Sequence, residues 1–250
     1  MQQGHCDQRL STWCGGNVMI VMPSGCTGWI WHSLARETGR IGHLYSPTHQ
    51  RGPWPWFPYA LDNGAFGCWD PDTNVFDYEK WNTREDDWKR LLFWGQAAAI
   101  KPLWAIVPDV PGNAKETILR WSKYAGEIKA SGIPLAVAVQ DGMTVSDIES
   151  LNPRYDVICV GGTTEWKWQT VEQWAKAGRC HLLRCSDPEK LDYLQSLGVE
   201  SCDSTAWNRG DRHKRLAGLE TWCRKHGNPI NQPLWPYACR GQDKHQLTFA

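Results

Sequence analysis

The sequence predicts an α/β fold, a single-domain (β/α)8 or TIM barrel, from three observations. The first is length: 250 residues fit one such barrel, which typically takes about 250. The second is alternation, because short apolar runs bounded by Gly, Pro or carboxylates take turns with segments of helical period, and the runs number eight. The third is where the runs stop. Tyr59-Ala60-Leu61 stops at Asp62, Ala105-Ile106-Val107-Pro108 at Asp109 and Ala136-Val137-Ala138-Val139 at Gln140. Val157-Ile158-Cys159-Val160 stops at Gly161-Gly162, and Val199-Glu200-Ser201-Cys202 at Asp203. Polar groups at the C-terminal ends of successive parallel strands are how this barrel builds a site. A doubly wound sheet shares the alternation but gathers its site at one switch point, so many polar strand ends favour the barrel.

Taken in order, Asn17 to Met22 is a continuous apolar run closed by Pro23-Ser24-Gly25, as a buried strand requires. Trp29 to Thr38 is helical in period and stops at Gly39. Ile41 to Ser46 is a weaker second strand. Pro47 to Pro58 reads as a loop, since its four prolines remove donors and fix φ. After the strand ending at Asp62, a helix is expected over 83–99, with Thr83 as N-cap and Glu85, Asp86 and Asp87 favouring its positive end. The strand ending at Asp109 precedes a helix from about Asn113 to Ala130 with a Gly132 stop. The strand ending at Gln140 precedes a short helix over 145–150. Gly161-Gly162 leads to a helix through Gln169 to Ala177. Cys180 to Cys185 is a seventh strand, followed by a helix over 188–197 with Asp187 as cap and Pro in its first turn. The eighth strand ends at Asp203, and a final helix covers about Arg212 to Lys225. The barrel is assigned to 1–227 and an irregular, Pro-containing C-terminal extension to 228–250.

Composition narrows the function. Lys+Arg and Asp+Glu each number 27, so the chain is neutral and a nucleic-acid surface has to be local. The opening residues lack a basic region followed by an apolar one, so no signal peptide is expected, and no apolar run is long enough to span a bilayer. The 10 cysteines then read as reduced thiols of a cytoplasmic protein, or host cytoplasm if the chain is phage-encoded, with some open to metal. Cys180, Cys185 and Cys202 alternate with apolar neighbours and read as buried core thiols. The 17 tryptophans read mostly as packing, with a minority near strand ends able to stack on bases.

Together the strand-end motifs resemble the tRNA-guanine transglycosylase superfamily, and within it the short 7-deazaguanine DNA-modification (DpdA-like) branch of phages and genomic islands. Leu61-Asp62-Asn63-Gly64-Ala65-Phe66 is similar to that family's Asp-Ser-Gly-Gly-Phe segment, and Val107-Pro108-Asp109 falls where it has a base-recognising Asp. Ala138-Val139-Gln140-Asp141-Gly142 is similar to its Val-Gln-Gly segment and Val160-Gly161-Gly162 to its Gly-Gly segment. Cys202-Asp203-Ser204-Thr205 matches the segment carrying the nucleophilic Asp. The match runs in order over roughly 59–209. The compact cysteine cluster of the tRNA enzymes is missing, which moves the expected substrate from tRNA, the alternative, towards DNA.

The resemblance implies a pentosyltransferase that exchanges guanine for a 7-deazaguanine, such as a preQ0-type base, with accessory modification proteins as possible partners. Glycosidic exchange passes through an oxocarbenium-like centre that a carboxylate can trap covalently. That role falls to Asp203, and proton management to Asp62. Asp109 is suited to accept from a guanine-like N1–H and amine, while Gln140 and the Gly162 N–H would meet O6, with Gly161 beside them as a further substrate-binding residue. A nucleoside or glycoside hydrolase on the same barrel is the other enzymatic reading. Between Trp207 and His226, six Lys/Arg stand against Asp211 and Glu220. Arg209, Arg212, Lys214 and Arg215, next to Asp203, are candidate phosphate contacts; such a run is also commonly a solvated helix face. Cys223, His226, Cys239 and His245 are four possible ligands for a structural zinc, a spacing compatible with a tetrahedral site but not diagnostic of one.

Overall fold

Residue parity along each strand decides which side chains meet at the centre of this molecule. The structure, a computed structural model, describes residues 19–25, 28–48, 58–209 and 211–227. Its strands are β1 (Ile20–Pro23), β2 (His43–Tyr45), β3 (Tyr59–Leu61), β4 (Trp69–Asp70), β5 (Val75–Phe76), β6 (Ala105–Ile106), β7 (Leu135–Val139), β8 (Val157–Val160), β9 (Cys180–Leu182) and β10 (Ser201–Ser204). The helices are α1 (Trp29–Thr38), α2 (Tyr78–Ala97), α3 (Ala114–Ser131), α4 (Val145–Glu149), α5 (Thr164–Ala177), α6 (Leu191–Ser196) and α7 (Arg212–His226). Eight strands form one parallel sheet in the order β1-β10-β9-β8-β7-β6-β3-β2. Parallel bridges Val21–Ile41 and Ser24–Leu44 then draw β2 back to β1. The sheet is a nearly closed barrel with helices outside, the (β/α)8 fold expected from the sequence.

Within a strand, successive side chains face opposite sides. In β7, Ala136 and Ala138 join the inner cluster, whereas Leu135, Val137 and Val139 pack outward against the helices. The inner cluster also holds Ile20, Met22, Leu44, Ala60, Trp104, Ile106, Val157 and Cys159. Small Ala60, Ala136 and Ala138 leave the volume that the single indole of Trp104 fills, as interior packing density requires. The same parity turns Ser201 and Asp203 of β10 and His181 of β9 inward, because Cys202, Cys180 and Leu182 between them belong to the outer cluster.

Helix boundaries follow local chemistry. Gly39 and Gly132 end α1 and α3 in the left-handed conformation at φ 65° and 73°. Asn113, Thr144 and Asp187 cap their helices by accepting from backbone N–H groups, Thr144 within a full capping box. Three expectations change. The helix after β3 begins at Tyr78, not Thr83, because the Asp77 side chain accepts from Lys80 N. The β3–α2 connection holds an antiparallel hairpin, β4–β5, too short for periodicity to reveal. The seventh strand stops at Leu182, since Arg184 turns to φ 58°. The proposed extension 228–250 and most of the loop from Pro47 to Pro58 lie outside the described residues. Among the described residues no helix is long and apolar enough to cross a membrane.

The β1–β2 seam rests on few bonds: Val21 N–H donates to Arg40 O (2.8 Å) and Gly42 N–H to Val21 O (2.9 Å). A Cβ on Gly42 would come within 2.7 Å of Pro58 O and 3.0 Å of Ile20 Cγ2. Gly42→Ala is therefore expected to cost about 1–3 kcal/mol by overpacking, read as a lowered thermal midpoint by circular dichroism. An unchanged midpoint would show that the seam yields freely.

Candidate functional site

The inward residues at the C-terminal strand ends converge on Asp203, which is only 6% exposed. Its Oδ1 accepts from the Arg184 N–H (3.0 Å) and lies 3.3 Å from His181 Nε2, while Oδ2 accepts from Ser24 Oγ (3.2 Å). Behind it, Cys185 N–H donates to the Asp203 backbone carbonyl (2.7 Å). His181 is fully buried, with its edge on Trp104 and Nδ1 2.7 Å from Ser201 Oγ. The chain of bonds is satisfied when Ser201 donates to Nδ1 and Nε2–H points at Asp203, which fixes the ring from below. The β1 and β9 units thus supply the donors around a carboxylate carried on β10.

A second group faces it. Asp62, half-buried at the end of β3, has its pKa pushed from an ordinary 3.8 up to about 7, first by burial and then by the nearby Asp203 charge, with hydrogen bonds from the Gly64 and Asn63 N–H groups opposing. Asp109 is buried, and each of its oxygens is held: Oδ1 by Asn63 Nδ2 (2.8 Å) and Oδ2 by Gln140 Nε2 (2.7 Å). Burial pushes its pKa up, against the Asn63 hydrogen bond and the Arg120 charge. Gln140 Oε1 accepts from Gly112 N–H (3.0 Å) and Gly162 N–H (3.1 Å). The two groups expected to meet a base's O6 are therefore bonded to each other, and Gln140 orients Asp109. A Cβ on Gly161 would come 3.1 Å from the Gln140 amide, which explains why glycine stands there.

Four residues that the sequence reading did not single out complete the site: Ser24, His181, Arg184 and Lys167. Arg184 sits on the β9 side of the mouth with its guanidinium over the Phe66 ring (4.6 Å) and donating to Gly162 O. Phe66 belongs to the β3 side, and β3 and β9 stand opposite each other around the barrel, so this contact crosses the mouth. Beneath it, the buried Lys167 donates to Leu183 O (2.7 Å) and Arg184 O (3.3 Å). Burial first, and then the Arg184 charge, lower its pKa to about 8. Asp141 accepts from Thr163 N–H (2.7 Å) at the start of α5.

The basic stretch divides in two. Arg224 pairs with Glu37 and Glu220, and Lys225 with Asp192, so the far end of α7 is neutralised partly by Glu37 and Asp192, which lie far from it in sequence. Arg209 and Lys214 are exposed at the end of α7 that follows β10, on the mouth side. Arg215 donates to Ala206 O (3.3 Å) and Arg209 O (3.0 Å), bracing the turn after Asp203. Arg212 opens α7, and its side chain lies outside the described residues.

Of the proposed zinc ligands, Cys239 and His245 also lie outside the described residues. Cys223 is buried with its pKa pushed up to about 12 by burial. His226 faces Asp192 Oδ1 (2.6 Å) and Gln195 Nε2 (3.3 Å). Among the described residues no three His, Cys, Asp or Glu side chains come together as a metal site. Cys180, Cys185 and Cys202 are buried free thiols.

No protein-family model matches the chain, and no curated protein is significantly similar to it.

The Asp62 environment has a measurable consequence. A carboxyl whose folded pKa is raised binds its proton more tightly folded than unfolded, so the stability it contributes is whole below its unfolded pKa of about 4 and lost as pH rises through about 7. Asp62→Asn is expected to flatten the fall in stability between those values and, above pH 7, to unfold later than wild type by about 2 kcal/mol, allowing for its partial exposure. Urea titrations at pH 4, 6 and 8 check this, and parallel curves for the two proteins would refute it.

Proposed function

We propose that the protein is a base-exchanging glycosyltransferase that replaces guanine by a 7-deazaguanine derivative in DNA through a covalent Asp203–sugar intermediate. One observation carries the reading. Two carboxylates share a barrel mouth, one ringed by hydrogen-bond donors and the other held where it gains and loses a proton near neutrality. Environments that separate two carboxyl groups in this way are how acid–base and nucleophilic roles are divided. The ordered strand-end motifs of the transglycosylase superfamily support the same assignment.

The steps balance as follows. Oδ1 of Asp203 is held by two donors and Oδ2 by Ser24 Oγ alone, which leaves a lone pair on Oδ2 to attack the anomeric carbon as the bond to guanine breaks. The departing guanine takes the proton of Asp62. The incoming base returns a proton from its ring N–H to Asp62 and displaces Asp203 from the sugar, restoring both carboxyl groups. Asp109, with lone pairs beyond the Asn63 and Gln140 bonds, receives the N1–H and amine edge of the base. Gly161 and Gly162, after β8 and two strands along from β6, keep that part of the wall low. Arg209, Arg212, Lys214 and Arg215 lie along the segment after Asp203, where a phosphate backbone would run, and a duplex would have to extrude its nucleotide to reach the mouth.

Asp203→Asn is expected to abolish exchange of radiolabelled guanine while leaving the far-ultraviolet dichroism unchanged. Turnover equal to wild type would sink the mechanism. The assay runs on DNA and tRNA in parallel: incorporation into tRNA alone would replace the substrate and keep the chemistry, and release of guanine without any incoming base would make the protein a hydrolase.

Asp109→Ala is expected to weaken the base by about 1–3 kcal/mol, roughly 10- to 100-fold in Kd, since donors on the base lose their acceptor. Nucleic-acid affinity should barely move. Calorimetry with a preQ0-type base and anisotropy with a DNA oligonucleotide read the two, and the reverse pattern would remove Asp109 from base recognition.

A further inference from the structure

Lys167 lies on α5, outside the barrel wall, and is 2% exposed, yet no carboxylate pairs with it among its described hydrogen bonds. Both bonds go to consecutive carbonyls, Leu183 O and Arg184 O, in the turn that follows β9. An ammonium is costly to bury, and the guanidinium of Arg184 nearby adds repulsion. A Met of similar length would pack the same space without either penalty. The turn it holds is itself unusual: Arg184 has φ 58°, a left-handed conformation that a residue with a side chain adopts only when its surroundings enforce it. That conformation aims the Arg184 N–H at Asp203 Oδ1 (3.0 Å) and lets the next N–H, of Cys185, reach Asp203 O (2.7 Å).

We infer that Lys167 is a positioning residue for Asp203: its ammonium clamps the 183 and 184 carbonyls, holds the left-handed turn, and so fixes the backbone N–H that orients the attacking carboxylate. The clamp works from behind the wall. Lys167 makes no hydrogen bond to Asp203, whose charge it feels at a distance, and its direct contacts are with the peptide carbonyls of the turn. As a catalytic role this rests on the transglycosylase reading; as a structural coupling it does not.

The test therefore reads both. In the full ¹⁵N-labelled chain, Asp203→Asn should move the Arg184 amide resonance strongly, because that N–H loses a charged acceptor. In a Lys167→Met background the same substitution should leave the residue-184 resonance nearly still. Adding Arg184→Gly to Lys167→Met should restore the response, since glycine holds a positive φ without a clamp. Lys167→Gln, which keeps an N–H donor group without the charge, should fall between and serves where the Met variant does not fold. In the exchange assay, Lys167→Met should lower kcat by on the order of 10- to 100-fold while KM for the base changes less than about twofold, the mark of a misaimed group rather than lost binding. An undiminished response of the 184 amide in Lys167→Met, or a loss that glycine does not repair, overturns the inference. Absence of exchange by the wild-type protein instead overturns the proposed function and leaves the amide measurement to decide this one.

Discussion

A buried carboxylate must be hydrogen-bonded, and Asp203 is the place where this fold meets that demand. Water reaches it only narrowly, so its donors have to come from the chain, and three come from two barrel units: Ser24 after β1, and His181 and the Arg184 N–H of the β9 unit. Each depends on something further back. His181 is oriented by Ser201 and wedged on Trp104, whose indole fits only because Ala60, Ala136 and Ala138 are small. The Arg184 N–H is aimed by a strained turn that Lys167 clasps. Removing one donor from a buried acceptor typically costs about 1–3 kcal/mol, so inner packing, outer helix and strand register are linked through one side chain.

The Asp109 group is built differently. It is closed on itself, with Asn63 and Gln140 each giving an amide to one oxygen and Gln140 in turn accepting two backbone N–H groups. Arg120 lies over the rings of Trp81 (4.2 Å), Phe76 (5.0 Å) and Tyr124 (5.5 Å) and reaches Asp109 O at 3.4 Å. An aromatic box thus places a positive charge behind the acid without exposing it. One acid is surrounded by donors from separate strands, the other is locked into a rigid amide frame, and Asp62, near both charges, holds its proton towards neutrality.

Much of this was legible in the sequence because strand ends leave a mark. An apolar run must stop where the backbone leaves the sheet, and Asp62, Asp109, Gln140, Gly161 and Asp203 all stand at such stops. The Asp187 cap was legible for the same local reason, whereas α2 is capped by Asp77 rather than Thr83. What stayed hidden is what only inward-facing parity decides. His181 sits inside Cys180-His181-Leu182 and reads as one more core position until β9 is placed against β10. Lys167 reads as an ordinary polar residue of a helix, and only the neighbouring strand shows where its ammonium ends. The charge surplus of α7 was misleading because Glu37 and Asp192, which neutralise Arg224 and Lys225, lie far from it along the chain.

The register of β1 against β10 sets a timetable. Ile20 pairs with Ser201 and Met22 with Asp203, so the first described strand finds its principal partner only after nearly the whole barrel has been synthesised. Contacts between segments this far apart are slow to form, because the intervening chain must be ordered before they give any return. The residue proposed as nucleophile lies on the late partner, and its donors lie on the early strand and on the unit just before. A ribosome-bound chain can therefore hold most of a barrel and still have no competent centre. The reactivity proposed for Asp203 would arise only at the moment the cylinder shuts.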